Sequence, residues 1–547
     1  MLKNGFLFIY TVLFILAAVS YAENAKKNLI PNKPGKSPNY WCTWAAQNYM
    51  HGQGAKELDP ILLKVEGIGK YYADYLNEET LFGGKGFIVN FFPKVRSDLY
   101  VVLDYGWDIP LNNDTGYRNY CKLDPQKFPS FNGTIPENLN LLNKKVMENG
   151  WRGVGLWFRI PEATIDSERK KTFSSAEEYS KVFWGERMVW CKNAGINYWK
   201  MDMGGDDTVY SLLSNLAIEK APGLIVEHGV QAEDGPFNEW PGPGRIEQKY
   251  MDTAAYRIQY AEVLRLYDIS PQLGIPTTLE RISAVLNTVK TKPKAEGYLN
   301  CDDEVYIAAA LGGTMGILRN PMIGLRPGGD PDIYMKSPRM QKKRMDEVVR
   351  AVRWQRISPA YGPKGEKVCL DNRALFDSWK YTLGEFWTSA ADWNLDYNSI
   401  DKIVTQGAPA RVTRGLELPK VTGTDDPPYI LASLNPSGAV SIAALGRLSP
   451  EEGYFCPEAD VTLKVGNARI FGIFGYYRSL SLEFDKPLGE VKIWAQDLAG
   501  EVAQDITEKV IITKTCISIP GEIIRTVGLS AATKGDLSDP GMVLKIE

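Results

Sequence analysis

Between about residues 38 and 395 the chain repeats one unit, a short and nearly uninterrupted apolar run followed by a longer stretch with helical spacing. The runs are NYWCTW (39–44), LYVVLDYGW (99–107), GVGLWFRI (153–160), INYWKMD (196–202), GLIVEHG (223–229), VLRLYD (263–268), GYLNCDDE (297–304) and GTMGILRNP (313–321). Strands buried on both faces, as in a parallel sheet covered by helices, read as continuous apolar runs rather than as alternating ones. Eight such runs, separated by helical patterns such as AEEYSKVFWGERMVWCKNAG and DTVYSLLSNLAIEKA, predict an α/β chain folded as a (β/α)8 TIM barrel over residues 35–400. The seventh run is polar for a core strand.

Beyond residue 400 the pattern changes. AVSIAALGRL, DVTLKVG, LSLEF, EVKIWAQDL and KVIITKTCISI are short, mostly alternating, and bounded by Gly, Pro and Asp. With no long helical pattern between them, they predict a C-terminal antiparallel β-sandwich domain over residues 401–547. The most basic stretch, KSPRMQKKRMDEVVRAVRWQR (336–356), carries Met345, Val348, Val349 and Val352 at helical spacing. It reads as a solvated helix face rather than a nucleic-acid patch, and the net charge of −3 points to no nucleic-acid partner.

The N-terminus has the order of a secretory signal: Lys3, the apolar stretch GFLFIYTVLFILAAVS, then small residues at Ser20 and Ala22. This predicts a signal peptide over residues 1–22 with cleavage after Ala22, and a secreted or periplasmic chain not bound to a membrane once cleaved. An uncleaved membrane anchor is the alternative. Seven scattered cysteines without a CxxC pair do not read as a disulfide framework, although one or two bridges are compatible with export.

Histidine is scarce, with only His51 and His228 in the chain. A metal centre built from several histidines is excluded within one chain, and no metal site or cofactor is expected. The chemistry therefore falls to carboxylates. Catalytic groups of a TIM barrel sit at the C-terminal strand ends, and there the runs place Asp104, Asp202, Glu227, Asp268 and Asp302. Asp202 lies in an apolar stretch, with Lys200 on the same side of the strand. Asp206 and Asp207 read as a cap for the following helix, and Asp303 and Glu304 as a cap or structural pair. Trp41, Trp44, Tyr105, Trp107, Trp157, Trp199 and Trp240 crowd the same strand ends, where aromatic faces can stack on sugar rings or fill a wide barrel.

These residues resemble the retaining α-galactosidase-like glycoside hydrolases, families 27 and 36 and their relatives, over roughly residues 38–320 and in the following β domain. YWCTW (40–44) is similar to the Gly-Trp-x-x-Trp opening of that barrel, and VVLDYGWD (101–108) to its Asp-Asp-Gly-Trp motif. YWKMDM (198–203) resembles the Lys-x-Asp nucleophile strand, VEHG (226–229) the fifth-strand Glu-Trp segment, and RLYD (265–268) the Arg-to-Asp segment bearing the acid/base. The resemblance implies a glycosidase with Asp202 as nucleophile and Asp268 as general acid/base. It also implies that Asp104, Trp107, Lys200, Glu227 and Arg265 hold sugar hydroxyls of an oligosaccharide or glycoconjugate, with Trp41 or Trp44 lining the pocket. Tyr105 replaces the second Asp of Asp-Asp-Gly-Trp, and His228 replaces a Trp of the pocket wall. Both changes imply an altered sugar preference. A carbohydrate-binding protein on a related barrel, without catalysis, and a metal-dependent barrel hydrolase are the competing readings.

Overall fold

The computed structural model describes residues 27–44, 47, 73–111, 120–159, 175–202, 207–230, 248–266, 273–289, 296–318, 344–363, 367–380 and 403–547. The expected signal peptide, Asp206, Trp240 and Asp268 lie outside the described residues.

The eight runs form a closed barrel of parallel strands: β1 (Asn39–Cys42), β2 (Leu99–Leu103), β3 (Gly153–Arg159), β4 (Tyr198–Asp202), β5 (Ile225–Val230), β6 (Val263–Leu266), β7 (Tyr298–Asp302) and β8 (Thr314–Ile317). Pairing of β1 with β8 closes the sheet. Two short helices, Glu78–Phe82 and Phe87–Asn90, lie between β1 and β2, and one helix follows each strand from β2 onward: α1 (Ile135–Glu148), α2 (Ala176–Ala194), α3 (Asp207–Lys220), α4 (Gln248–Arg257), α5 (Gly274–Val289), α6 (Val305–Leu311) and α7 (Met345–Trp354).

Helix α2 shows how the local sequence sets these elements. The Ser175 hydroxyl accepts from the Glu178 backbone N–H at 3.1 Å, and Gly195 ends the helix in the left-handed region at φ 71°. Its buried Phe183 and Trp184 cover the outward side chains of β3 and β4, with Phe158 4.6 Å from Trp199 and 5.7 Å from Trp184 between ring centroids. Burying each such aromatic contributes roughly 1.5–3 kcal/mol.

Each strand divides its side chains between two environments. Trp41, Val101, Leu156, Trp199, Val226, Leu264, Leu299 and Met315 join the core under the helices. Tyr40, Tyr100, Trp157 and Tyr198 belong to a separate cluster inside the lumen. The polar look of the seventh run follows from this split. Leu299 and Cys301 of β7 pack outward, while Asn300 and Asp302 alternate with them towards a polar lumen.

The C-terminal region is a sandwich of an eight-stranded and a five-stranded sheet. Its core lies between Ile442 and Ile473 on one sheet and Leu463, Leu482 and Ile519 on the other. Most neighbours are antiparallel, although Arg411–Arg414 with Tyr429–Leu434, Val440–Leu445 with Ile470–Gly475, and Asp460–Gly466 with Ser479–Phe484 run parallel. Val368–Leu370 forms an edge of the larger sheet, so the β region begins ahead of residue 400.

The basic stretch also departs from expectation. Its helix, α7, forms, but residues 346–354 are buried rather than solvated. The helix lies between the two domains, where Arg350 makes a two-pronged contact with Asp497 at 2.9 and 3.1 Å and Arg353 reaches Glu501 at 2.9 Å. The charges are buried because the second domain supplies their counter-ions. All seven cysteines are free thiols.

Candidate active site

The lumen is closed at its lower end by three tyrosines. Tyr198 lies 5.3 Å from both Tyr40 and Tyr100 between ring centroids, and the Arg152 guanidinium covers Tyr100. Above them the lining becomes ionic, in two groups.

The first group joins β1, β2 and β4. Asp104, just past β2, accepts from Lys200 Nζ at 2.7 Å and from Cys42 Sγ at 2.9 Å, both on Oδ2. Burial pulls the Lys200 ammonium down, but the Asp104 carboxylate, with Asp202 behind it, outweighs burial and holds it above its ordinary value. Burial and then Asp104 push the Cys42 thiol well up, so it stays protonated and donates.

The second group centres on Arg265 of β6. Its guanidinium lies 2.8 Å from Asp202, 3.1 Å from Glu227 and 3.7 Å from Asp302. Burial opposes the charge, yet these carboxylates hold the guanidinium firmly protonated. Glu227 also accepts from Tyr198 Oη at 2.6 Å and Tyr40 Oη at 3.2 Å. Burial raises the Glu227 carboxyl above its usual value against the opposing pull of Arg265. Asp202 accepts a further hydrogen bond on Oδ2 from Trp157 Nε1 at 3.0 Å. It is 8% exposed, against 0% for Glu227 and 1% for Asp302, so it is the most accessible of these three carboxylates.

An aromatic wall adjoins Asp202. Trp157 meets Tyr105 edge-on at 5.8 Å, and Tyr105 meets Trp44 edge-on at 6.4 Å. Asp104, Tyr105, Trp44, Lys200, Asp202, Glu227, Arg265 and Asp302 therefore line or border one lumen.

Three expected pocket residues do not. Trp41 faces outward against Phe87, Phe91 and Trp151. Trp107 is fully buried, with its ring against Phe158 and its Nε1 donating to the Trp157 carbonyl at 2.9 Å. His228 alternates with Glu227 and points to α3, where Nε2 lies 2.9 Å from Ser214 Oγ, and burial with the Arg257 charge pulls its pKa down to about 3. For Trp41 and His228 the cause is common, since strand pleat sends neighbours to opposite faces, whereas Trp107 lies past β2 in the turn where Gly106 takes φ 101°. Asp303 does not cap α6. It sits at φ 56° and its Oδ1 accepts from the Leu318 N–H at 2.8 Å, tying β7 to the end of β8.

Tyr40, Cys42, Trp157 and Tyr198 are lumen residues that motif reading left out of the site. Counting back two from Lys200 would have found Tyr198, because the two share a strand face.

Gly316 of β8 makes room for this network. A Cβ there would lie 2.5 Å from Tyr40 Oη and 2.7 Å from Asp302 Oδ1. Gly316→Ala is expected to cost about 1–3 kcal/mol by overpacking. Adding Tyr40→Phe should recover part of the loss in denaturant unfolding, whereas a strictly additive pair would show that the hydroxyl is not what the methyl meets.

No protein-family model matches the chain, and no curated protein matches it. Similar solved structures include the catalytic domain of GH30 xylanase C from Talaromyces cellulolyticus (9% identity, 94% of this chain and 98% of that one, TM-score 0.30). A provisionally assigned α-N-acetylgalactosaminidase from Bacillus halodurans C-125 matches at 10% identity over 71% of this chain and 96% of its own, TM-score 0.31. A doubly substituted GH36 α-galactosidase, AgaA from Geobacillus stearothermophilus in complex with stachyose, matches at 12% identity over 51% and 38%, TM-score 0.28. Likenesses this distant carry no argument about activity, which rests on the residues themselves.

Proposed function

We propose that the chain is a retaining α-glycoside hydrolase, related in its motifs to the α-galactosidases, that removes a terminal α-linked sugar by double displacement. The observation that carries this reading is Asp202: a carboxylate at the C-terminal end of β4, at the mouth of the lumen, with one donor on each oxygen. The Arg265 charge favours its ionised form, as a nucleophile requires.

Asp202 attacks the anomeric carbon as the bond to the leaving oxygen breaks. Asp268, two residues beyond the last residue of β6, gives that oxygen its proton. The resulting glycosyl ester is opened by water, which loses a proton to the Asp268 carboxylate as the Asp202 carboxylate departs. Two inversions leave the starting configuration, and the carboxyl groups of such a pair stand about 5–5.5 Å apart. The Asp104–Lys200 pair presents acceptor and donor to sugar hydroxyls, and the wall of Trp44, Tyr105 and Trp157 offers apolar faces to the ring. Tyr105 in place of an acid favours a sugar other than galactose or a changed contact to it.

The test is hydrolysis by the chain from Glu23 of aryl α- and β-glycosides of galactose, glucose, N-acetylgalactosamine, arabinopyranose and fucose, with the first-formed anomer followed by NMR. Release of an α-anomer from an α-glycoside supports the reading. A first-formed β-anomer would defeat the double displacement, and sugar binding without turnover would favour the carbohydrate-binding alternative. In Asp268→Asn, kcat should fall for every substrate because opening of the ester loses its base, whereas kcat/KM is expected to fall by about a hundredfold or more for poor leaving groups and to be spared for activated aryl glycosides, since acid assistance to the first step matters most for the former. Equal losses of kcat/KM on both would remove Asp268 from the acid role.

A further inference from the structure

Among the described residues, two donors of different kinds hold Asp202. The Arg265 guanidinium on Oδ1 brings charge, but it is shared with Glu227 and Asp302. The Trp157 indole on Oδ2 has a single N–H and no charge, so it contributes direction. Trp157 is itself fixed. Its carbonyl accepts from Trp107 Nε1 at 2.9 Å, and its ring stands edge-on to Tyr105, with 85° between the planes. Trp107 is set by the turn after β2, where Gly106 takes φ 101° and any side chain would run into the Ala73 backbone. Its ring then packs edge-on against Phe158, with centroids 5.9 Å apart.

We infer that Trp157, backed by Trp107, is a positioning residue for the nucleophile: two indole N–H groups in series carry the placement of the β2 loop through β3 to the Asp202 carboxylate. The inference rests on Asp202 being the nucleophile. A carboxylate held at one oxygen can still turn about its Cβ–Cγ bond, and a second donor on the other oxygen fixes its plane. Attack on an anomeric carbon depends on that alignment, and small misplacements of a reacting group are costly in rate. Neither tryptophan needs to touch the reacting carbon for this.

The test replaces Trp157 with Phe and, separately, with 3-benzothienylalanine, which keeps the two-ring shape and substitutes sulfur for the N–H. Both are expected to lower kcat by about tenfold or more, and the benzothienyl variant, which keeps the face presented to the sugar, should change KM far less, as lost alignment should. The acid limb of the kcat/KM profile should also move to higher pH, because the lost donor favoured the ionised carboxylate. A merely structural tryptophan would not produce that move in the benzothienyl variant.

A second measurement needs no turnover. In protein labelled with 15N at tryptophan, the Trp157 indole resonance, identified by its loss in Trp157→Phe, should shift in Asp202→Asn. An indifferent resonance, or 157 variants matching the native kcat and pH limb in an active enzyme, would overturn the inference. A resonance that responds while no glycoside is cleaved would instead refute the hydrolase reading, leaving Trp157 as the residue that orients Asp202 for another task.

Discussion

Asp202→Asn is expected to lower glycoside turnover by a factor on the order of a thousand or more while leaving a folded chain. The size follows from the role. An amide does not form the glycosyl ester, so the double displacement loses its first step and not merely some of its rate. Retention of the fold follows from the surroundings. Arg265 keeps Glu227 at 3.1 Å and Asp302 at 3.7 Å, so the guanidinium is not stranded when the Asp202 charge is removed. A modest cost remains, because the new NH2 must face either the Trp157 or the Arg265 donor, and one opposed buried donor costs about 1–3 kcal/mol. Kinetics on an activated aryl α-glycoside and a denaturant curve on the same preparation separate the two effects. Asp202→Gly adds a sharper test. Azide in the vacated space should attack the anomeric carbon as the aryl oxide leaves, restoring turnover and giving the glycosyl azide of opposite configuration. Near-native kinetics for Asp202→Asn, or no azide product from Asp202→Gly, would take the nucleophile role from this residue.

The barrel was legible because burial on both faces writes itself into composition, and all eight apolar runs became strands of one closed sheet. The acids at strand ends were legible for a related reason: Asp104, Asp202, Glu227 and Asp302 interrupt apolar stretches where burial without a partner would be expensive. The facing of aromatic residues was not legible. Trp41 and Trp44 stand three positions apart in one motif, yet one packs under the helices and the other beside Tyr105. Tryptophan serves the outer core as well as a sugar pocket, and only strand register distinguishes the two. Lys200 pairs with Glu227 across β4 and β5, which sends His228 outward, and nothing local in VEHG announces that pairing. The buried charge of α7 was hidden by distance, since the Asp497 that neutralises Arg350 lies 147 residues away. A charged helix with a distant counter-ion looks solvated until the second domain is in place.

Arg265→Met is expected to destabilise the fold by about 3–5 kcal/mol, the range for breaking a buried ion pair by removing one partner. The variant removes the guanidinium shared by Asp202, Glu227 and Asp302 and puts an apolar chain of similar reach among them. Glu227 carries the pH signature. Its carboxyl already sits above the ordinary 4.5 because of burial, and Arg265 is the strongest of the influences that lower it. Without that charge the folded-state value rises further while the unfolded value does not change. The folded variant therefore holds more protons than the unfolded chain between the two values, and its stability falls as pH rises through that window. The deficit relative to the native chain should accordingly be larger at pH 7 than at pH 5, read as the difference in urea midpoints at each pH. Glu227→Gln in the same chain removes the buried charge itself and should recover a substantial part of the loss at pH 7. A deficit that is equal at both pH values and insensitive to Glu227→Gln would mean that Arg265 stabilises the lumen by packing alone, and that Asp202, Glu227 and Asp302 are not held in place by their shared guanidinium.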